Sequence, residues 1–207
     1  MRQLLEQTSS TNHDNIVTVD ESWFFLHNEQ PSQWLPIGSP RPVAPCRTIA
    51  SKKILVTIVW GINGVYVLDF LPESMTMTAD YFQENVISKA KDKIEEISQR
   101  PLANTFYFHC DNARVHTAKA TTTHLGKCGF TKMMHPPYSP DLAPSDFFLF
   151  GTLKHELKGW IFQNKEQLET GIQRALHKIG PDVWKNVFSH WIHRLRVVES
   201  GLGDYFE

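Results

Sequence analysis

Apolar and polar positions along the chain change from a two-residue to a helical period, and the first clear segment is a strand. Residues 16–27, IVTVDESWFFLH, are rich in β-branched and aromatic side chains, which is typical of β-structure. Ile16, Thr18 and Asp20 fall on one face of this strand, and the residues between them fall on the other. Because apolar residues occupy both faces, we expect the strand to lie in the middle of a sheet.

The remaining pattern predicts a β-hairpin followed by alternating helices and strands. The apolar runs 53–60 and 64–71 flank a glycine-bounded turn, as expected for a hairpin. The later predicted elements are a helix at 78–98 capped by Thr78, a strand at 105–110, a helix ending at Gly129, a strand at 130–135, and helices starting at Ser145, at 165–178 and at 181–198. This order indicates an α/β protein with a mixed five-stranded sheet flanked by helices.

Two segments lack such a period. Residues 1–15 are polar and predict a disordered or linker lead-in. Residues 28–51 contain five prolines, and proline removes backbone donors and fixes φ, so we expect a long extended loop. Loops of this length in a compact domain are usually functional or disordered, and Trp34 and Arg41 are its candidate contact residues. Residues 16–207 are expected to form one domain.

Composition and charge narrow the class of protein. The chain has 207 residues, of which 41% are apolar and 21% charged, which is ordinary for a globular domain. Its longest apolar runs are too short to cross a bilayer, so we expect no membrane partner. Three cysteines and no secretory signal favour an intracellular protein. The net charge of −1 is not that of a typical nucleic-acid-binding domain.

Three carboxylates fall where chemistry is expected. Asp111 ends a short strand, Asp20 lies in the predicted central strand, and Asp146 lies in the first turn of a helix, with 34 residues between Asp111 and Asp146. Grouped carboxylates resist ionisation, and divalent cations bound by oxygen ligands remove that obstacle. Two such ions about 3.5–4 Å apart can stabilise the attacking and leaving oxygens of a displacement at phosphorus.

Other interpretations of these residues stay open on spacing alone. Asp111 could be a turn residue, Asp146 a helix-start carboxylate, and Asp20 the buried partner of a cation. The rival carboxylates are Glu21, Asp69, Asp141 and Glu156. His109, His116, His124 and Cys128 match no standard zinc-site spacing, and His109 and His135, which flank the proposed site, are more often packing residues.

Several basic residues are candidates for contact with a phosphate backbone. Lys154 and Lys158 are four residues apart on the helix predicted after Asp146, so they would share one face. Arg114 follows Asp111 closely and could either touch phosphate or hold the turn. Trp160, Trp184 and Trp191 are interpreted as core residues rather than as platforms for base stacking.

The sequence around the aspartates resembles the mariner family of DNA transposases. VDESWF, HCDNARVH and HPPYSPDLAPSDFFLF look like the family's three aspartate segments, and the interval of 34 residues is the mariner spacing. QWLPIGSPRP and SGLGDYFE resemble its loop and its C-terminal segment, so the likeness runs from about residue 16 to the end. The chain departs from HDNARPH at Cys110 and Val115, which is not expected to disturb the aspartates.

The resemblance implies a ribonuclease-H-like DDE/D catalytic domain. Asp20, Asp111 and Asp146 would hold two Mg²⁺ or Mn²⁺ ions, and the enzyme would cut double-stranded DNA at transposon ends and join the 3′-hydroxyl ends to TA target sites. The 28–51 segment would be a clamp loop that reaches the partner subunit of a homodimer on DNA. A eukaryotic host would place the protein in the nucleus.

The resemblance also raises a second hypothesis. Mariner transposases carry helix-turn-helix modules before the catalytic domain, and we expect none in the polar residues before the first strand. The chain could therefore be a catalytically silent, truncated or domesticated remnant that binds DNA or dimerises.

Overall fold

The computed structural model describes residues 13–28, 52–99, 101–102 and 106–200. Most of the predicted lead-in and of the 28–51 loop, including Trp34 and Arg41, lies outside these residues. In the described ranges no helix has the length and apolar character needed to cross a membrane.

A mixed five-stranded sheet forms the centre of the fold. Its strands are β1 (Ile16–Phe25), β2 (Lys53–Gly61), β3 (Gly64–Phe70), β4 (Phe106–His109) and β5 (Phe130–Lys132). Their order is β3-β2-β1-β4-β5, with β1 antiparallel to β2 and parallel to β4. The sequence predicted this sheet and the central place of β1, and both are confirmed.

The helices follow the predicted order, with two departures from regular α-geometry. They are α1 (Ala79–Tyr81, the π-helical Phe82–Ile87 and Ser88–Ser98), α2 (Arg114–Thr117), α3 (Lys119–Lys127), α4 (the π-helical Ser145–Leu149 and Phe150–Glu156), α5 (Lys165–His177) and α6 (Pro181–Ser200). As predicted, Thr78 caps α1, its hydroxyl accepting a 3.1 Å hydrogen bond from the Tyr81 amide.

The core lies on both faces of the sheet, as the alternation along β1 requires. Ile16 belongs to one buried cluster, which includes α4, α5 and α6 residues. Val17 and Val19 belong to a second cluster, on the side of α1 and α3. The central strand is therefore buried on both sides, and its polar residues lie between two apolar layers.

Two sequence-based interpretations need correction. Trp160 is 60% exposed, whereas Trp184 and Trp191 are buried as expected; Trp160 lies in the connection between α4 and α5, outside the helices and strands. Lys158 is not on the helix that carries Lys154, because α4 ends at Glu156 and the following turn contains Gly159 at φ 82°, a left-handed conformation that ends helices.

Candidate active site

Asp20 and Asp111 lie at matching distances beyond the paired segments of two adjacent parallel strands, β1 and β4. The pairing of β1 with β4 ends at Thr18 and His109, and each aspartate lies two residues further along its own chain. Parallel strands run in register, so both carboxylates reach the same edge of the sheet. This is the carboxyl edge of β4, where α/β folds bind their ligands.

Asp146 joins them from the first turn of α4. Its amide donates a 3.0 Å hydrogen bond to the Ala143 carbonyl, which closes the start of the helix. The preceding residue, Ser145, is buried and hydrogen-bonded to Trp60 of β2. The beginning of α4 is thus fixed to the sheet close to β1.

The electrostatics show that the three carboxylates share one environment. Burial, followed by the charges of Asp146, Glu21 and Asp111, raises the pKa of Asp20 to about 8. Burial and the charge of Asp111 also raise the pKa of Asp146. Like charges that disfavour one another's ionisation in this way form a site to which a cation binds favourably.

Asp111 differs because it is already stabilised as a carboxylate. Burial alone would raise its pKa, but hydrogen bonds from His116 and the Ala113 amide hold the pKa below its usual value. Both bonds go to Oδ1, at 2.5 Å from His116 Nδ1 and 2.9 Å from the Ala113 nitrogen. Asp111 therefore stays ionised where Asp20 does not.

A cleft of about 410 Å³ opens beside the aspartates. Its lining includes Asp111, Asp146, His135 and Tyr138. Tyr138 has a φ of 54°, which is uncommon for a residue with a side chain. A larger cavity of about 700 Å³ lies elsewhere, between the end of α4 and α5, and contains none of the three aspartates.

The carboxylates fit Mg²⁺ or Mn²⁺ in charge and in donor type. Both ions take oxygen ligands. The pKa values of Asp20 and Asp146 are raised, and a bound cation would lower both. Among the described residues, however, no three His, Cys, Asp or Glu side chains stand close enough to hold an ion as placed. Binding would therefore require the carboxylates to draw together.

Of the predicted basic residues, Lys154 is the one that the fold brings to the aspartates. Its Nζ donates a 2.7 Å hydrogen bond to the Ser22 hydroxyl, two residues from Asp20 on the same face of β1, and its charge lowers the pKa of Asp146. Arg114 is exposed at the start of α2, three residues after Asp111.

The histidines are dispersed among separate partners. His109 is hydrogen-bonded to Thr18 at 2.9 Å and to His135 at 3.0 Å, and His124 is hydrogen-bonded to Ser88. The Asn112 amide donates to the His135 carbonyl at 2.9 Å, which gives Asn112 a structural role in the turn after Asp111. His135 lines the cleft, and His109 is buried behind it.

Sequence reasoning missed one contact at the site. His116 bridges Asp111 and Glu21, with its Nε2 3.3 Å from Glu21 Oε1. Glu21 lies on the face of β1 opposite to Asp20, and no pattern in the sequence indicated that His116 would meet it there, 95 residues away.

Comparison with known proteins places the chain among transposase catalytic domains by sequence and structural similarity. A model described as transposase, partial DDE domain, matches residues 25–103. The chain is 32% identical to the histone-lysine N-methyltransferase SETMAR of Homo sapiens over 203 residues and 28% identical to the mariner Mos1 transposase of Drosophila mauritiana over 185. The crystal structure of the catalytic domain of Mos1 mariner transposase matches all of this chain and 96% of that domain, with a TM-score of 0.77 and 25% identity. These matches support a mariner-type DDE transposase catalytic domain.

This mariner-family domain also matches the Mos1 paired end complex with Mn, with a TM-score of 0.89 over 99% of the chain and 60% of that structure. It spans 28% of SETMAR and 53% of the Mos1 transposase. The family-model match ends before Asp111 and begins after Asp20, so the roles of the three aspartates depend on the geometry described above.

Proposed function

We propose that this mariner-family domain is a metal-dependent DNA endonuclease and strand transferase that acts in DNA transposition. The observation that carries the proposal is the parallel pairing of β1 with β4, which ends at Thr18 and His109, each two residues before an aspartate, with Asp146 electrostatically coupled to both aspartates. Three carboxylates from three elements are the ligand set that a two-metal site for phosphoryl transfer requires.

In this proposal Asp20, Asp111 and Asp146 hold two Mg²⁺ or Mn²⁺ ions. Solved Mos1 complexes with Mn and with Mg support the choice of metal. Bound ions would stabilise the attacking and leaving oxygens at the scissile phosphate. The protein supplies three carboxylates at one sheet edge, with Asp111 already ionised.

The proposed substrate is double-stranded DNA, first at a transposon end and then at a TA target. Solved Mos1 structures that match this chain contain a left transposon end or represent a strand transfer complex, which supports the proposal. Lys154 and Arg114 are the proposed phosphate contacts near the aspartates, and Lys158 a more distant one. We further propose that the domain acts as a homodimer on DNA, in which Trp34 and Arg41 of the 28–51 clamp loop reach the partner. In a eukaryotic host it would act in the nucleus.

The test is cleavage of a labelled, pre-nicked transposon-end duplex by the full chain in Mn²⁺. We expect the cleavage rate of Asp111→Ala to be at least about a hundredfold lower than that of the parent, since a metal ligand is removed. Asp182→Ala, which removes an exposed carboxylate at the start of α6, is the matched control and should cleave like the parent.

Equal cleavage by Asp111→Ala and the parent would overturn the proposed site. A parent that neither cleaves the duplex nor binds Mn²⁺ in calorimetry would instead favour the catalytically silent remnant. A parent that binds Mn²⁺ through Asp111 would support the metal site independently of cleavage.

A further inference from the structure

We infer that Glu21 and His116 are positioning residues that fix the orientation of Asp111 for metal binding. The inference rests on the proposed function, since it concerns the same metal site. It adds two residues that do not themselves belong to the three-aspartate set. The observation behind it is a continuous chain of contacts from Glu21 through His116 to Asp111.

Asp20 and Glu21 present their side chains to opposite sides of the sheet, because they are neighbours in a strand. The Glu21 amide donates a 2.8 Å hydrogen bond to Asp20 Oδ1. Glu21 lies on the side of the apolar cluster that contains Val19 and Phe82, and its side chain is only 13% exposed. Asp20 thus faces the proposed metal site, while Glu21 on the opposite face contacts His116.

His116 is held in place by the residues around it. Its side chain is fully buried, and its ring packs against Phe82 with a centroid distance of 4.7 Å. The Lys132 ammonium donates a 2.8 Å hydrogen bond to the His116 carbonyl, so the backbone is held as well. A ring fixed on several sides can hold the carboxylate that it contacts in one orientation.

His116 lies between two carboxylates, with one at each ring nitrogen. Its Nδ1 contacts Asp111 Oδ1, and its Nε2 lies 3.3 Å from Glu21 Oε1. The contact with Glu21 on one side therefore helps to fix the ring orientation that places Nδ1 at Asp111 on the other.

The consequence is a carboxylate with one oxygen engaged and one available. Asp111 Oδ1 accepts from His116 and from Ala113, while Oδ2 accepts no hydrogen bond within the described part of the chain. The Asp111 side chain is 42% exposed and lines the cleft. Supporting residues of this kind typically change metal affinity by about 10–100-fold when mutated.

The test measures Mn²⁺ affinity by calorimetry on the full chain, with thermal unfolding in chelator as a check on folding. We expect Glu21→Ala and His116→Ala to weaken Mn²⁺ binding by about tenfold or more. His116→Asn keeps a donor near the place of Nδ1 and should recover part of the affinity, which a purely structural role would not predict. Glu84→Ala, an exposed carboxylate on α1, is the control and should bind like the parent.

The outcomes separate this inference from the proposed function. If the parent binds Mn²⁺ through Asp111 but folded Glu21→Ala binds equally well, the positioning role is wrong and the metal site stands. If the parent and Asp111→Ala show the same absence of binding, both are wrong. If His116→Ala does not fold, Glu21→Ala decides, because it removes the acceptor oxygen at Nε2 while leaving the ring in place; unchanged Mn²⁺ affinity in folded Glu21→Ala would then overturn the inference.

Discussion

The indole nitrogen of Trp60 donates a 3.0 Å hydrogen bond to the hydroxyl of Ser145, and both residues are buried. Trp60 lies in β2, in contact with the rings of Trp184 and Phe188 of α6. Ser145 immediately precedes Asp146. The third carboxylate of the candidate site is therefore placed by a polar contact made inside the aromatic core.

Replacing Ser145 with alanine should destabilise the domain. The Trp60 N–H would be left buried without its acceptor, which costs about 1–3 kcal/mol, and the start of α4 would be less well fixed. Urea unfolding measures the loss. Ser189→Ala, which removes an exposed hydroxyl on α6, should change stability by less than about 0.5 kcal/mol. Equal stability of the two variants would show that the Trp60 contact contributes little.

Two glycines near the end of α3 should respond to alanine in opposite directions. Gly129 has a φ of 83°, and an added Cβ would lie 2.0 Å from the Leu102 carbonyl oxygen. Gly129→Ala should therefore lower the free energy of unfolding by more than the roughly 1–2 kcal/mol that a left-handed residue alone costs. Gly126 is helical with open space around it, and Gly126→Ala should raise the free energy of unfolding by about 0.5–1 kcal/mol. Thermal unfolding compares them, and a shift of the same sign in both would contradict the packing described.

Local sequence pattern was sufficient for much of the fold because its signals act over a few residues. The alternation along β1 predicted both buried faces and the side on which Asp20 lies, and the glycine-bounded turn predicted the hairpin. The contacts that complete the site are not local. His116 meets Glu21 across 95 residues and Trp60 meets Ser145 across 85, and no periodicity encodes such pairings. The same limit explains why Trp160 was wrongly assigned to the core.

In the absence of metal, the domain should lose stability as the pH rises from about 7 to 9. The pKa of His116 is about 9 in the folded protein against an ordinary 6.5, so its stabilising contribution is complete below pH 6.5 and is lost as the pH rises through 9. The pKa of Asp20 is about 8 against 3.8, so the folded state again binds more protons and loses stability up to pH 8. The lowered pKa of buried His109 acts below pH 6.5, outside this window.

The measurement is the melting temperature in chelator at pH 7, 8 and 9, repeated with Mg²⁺. Mg²⁺ binding requires ionised carboxylates, so the stabilisation by Mg²⁺ should grow with pH as the unbound protein weakens. A melting temperature in chelator that rises steadily from pH 7 to 9 would contradict the shifted pKa values of His116 and Asp20.

Asp20→Asn should stabilise the metal-free domain while removing its response to metal. Asparagine has nearly the same shape and keeps an oxygen that accepts the hydrogen bond from the Glu21 amide, but it carries no charge for burial, Asp146 and Glu21 to disfavour. At pH 9 in chelator we expect a melting temperature above that of the parent, and the difference should shrink as the pH falls and vanish below about pH 3.8, where Asp20 is protonated in both the folded and the unfolded state. Addition of Mg²⁺ should raise the melting temperature of the parent but not that of Asp20→Asn.

The exposed Asp182→Asn on α6 is the control and should have the same melting temperature as the parent under every condition. If Asp20→Asn were less stable than the parent at pH 9 without metal, the carboxylates would not be mutually repulsive, and the electrostatic argument for a cation site would be wrong.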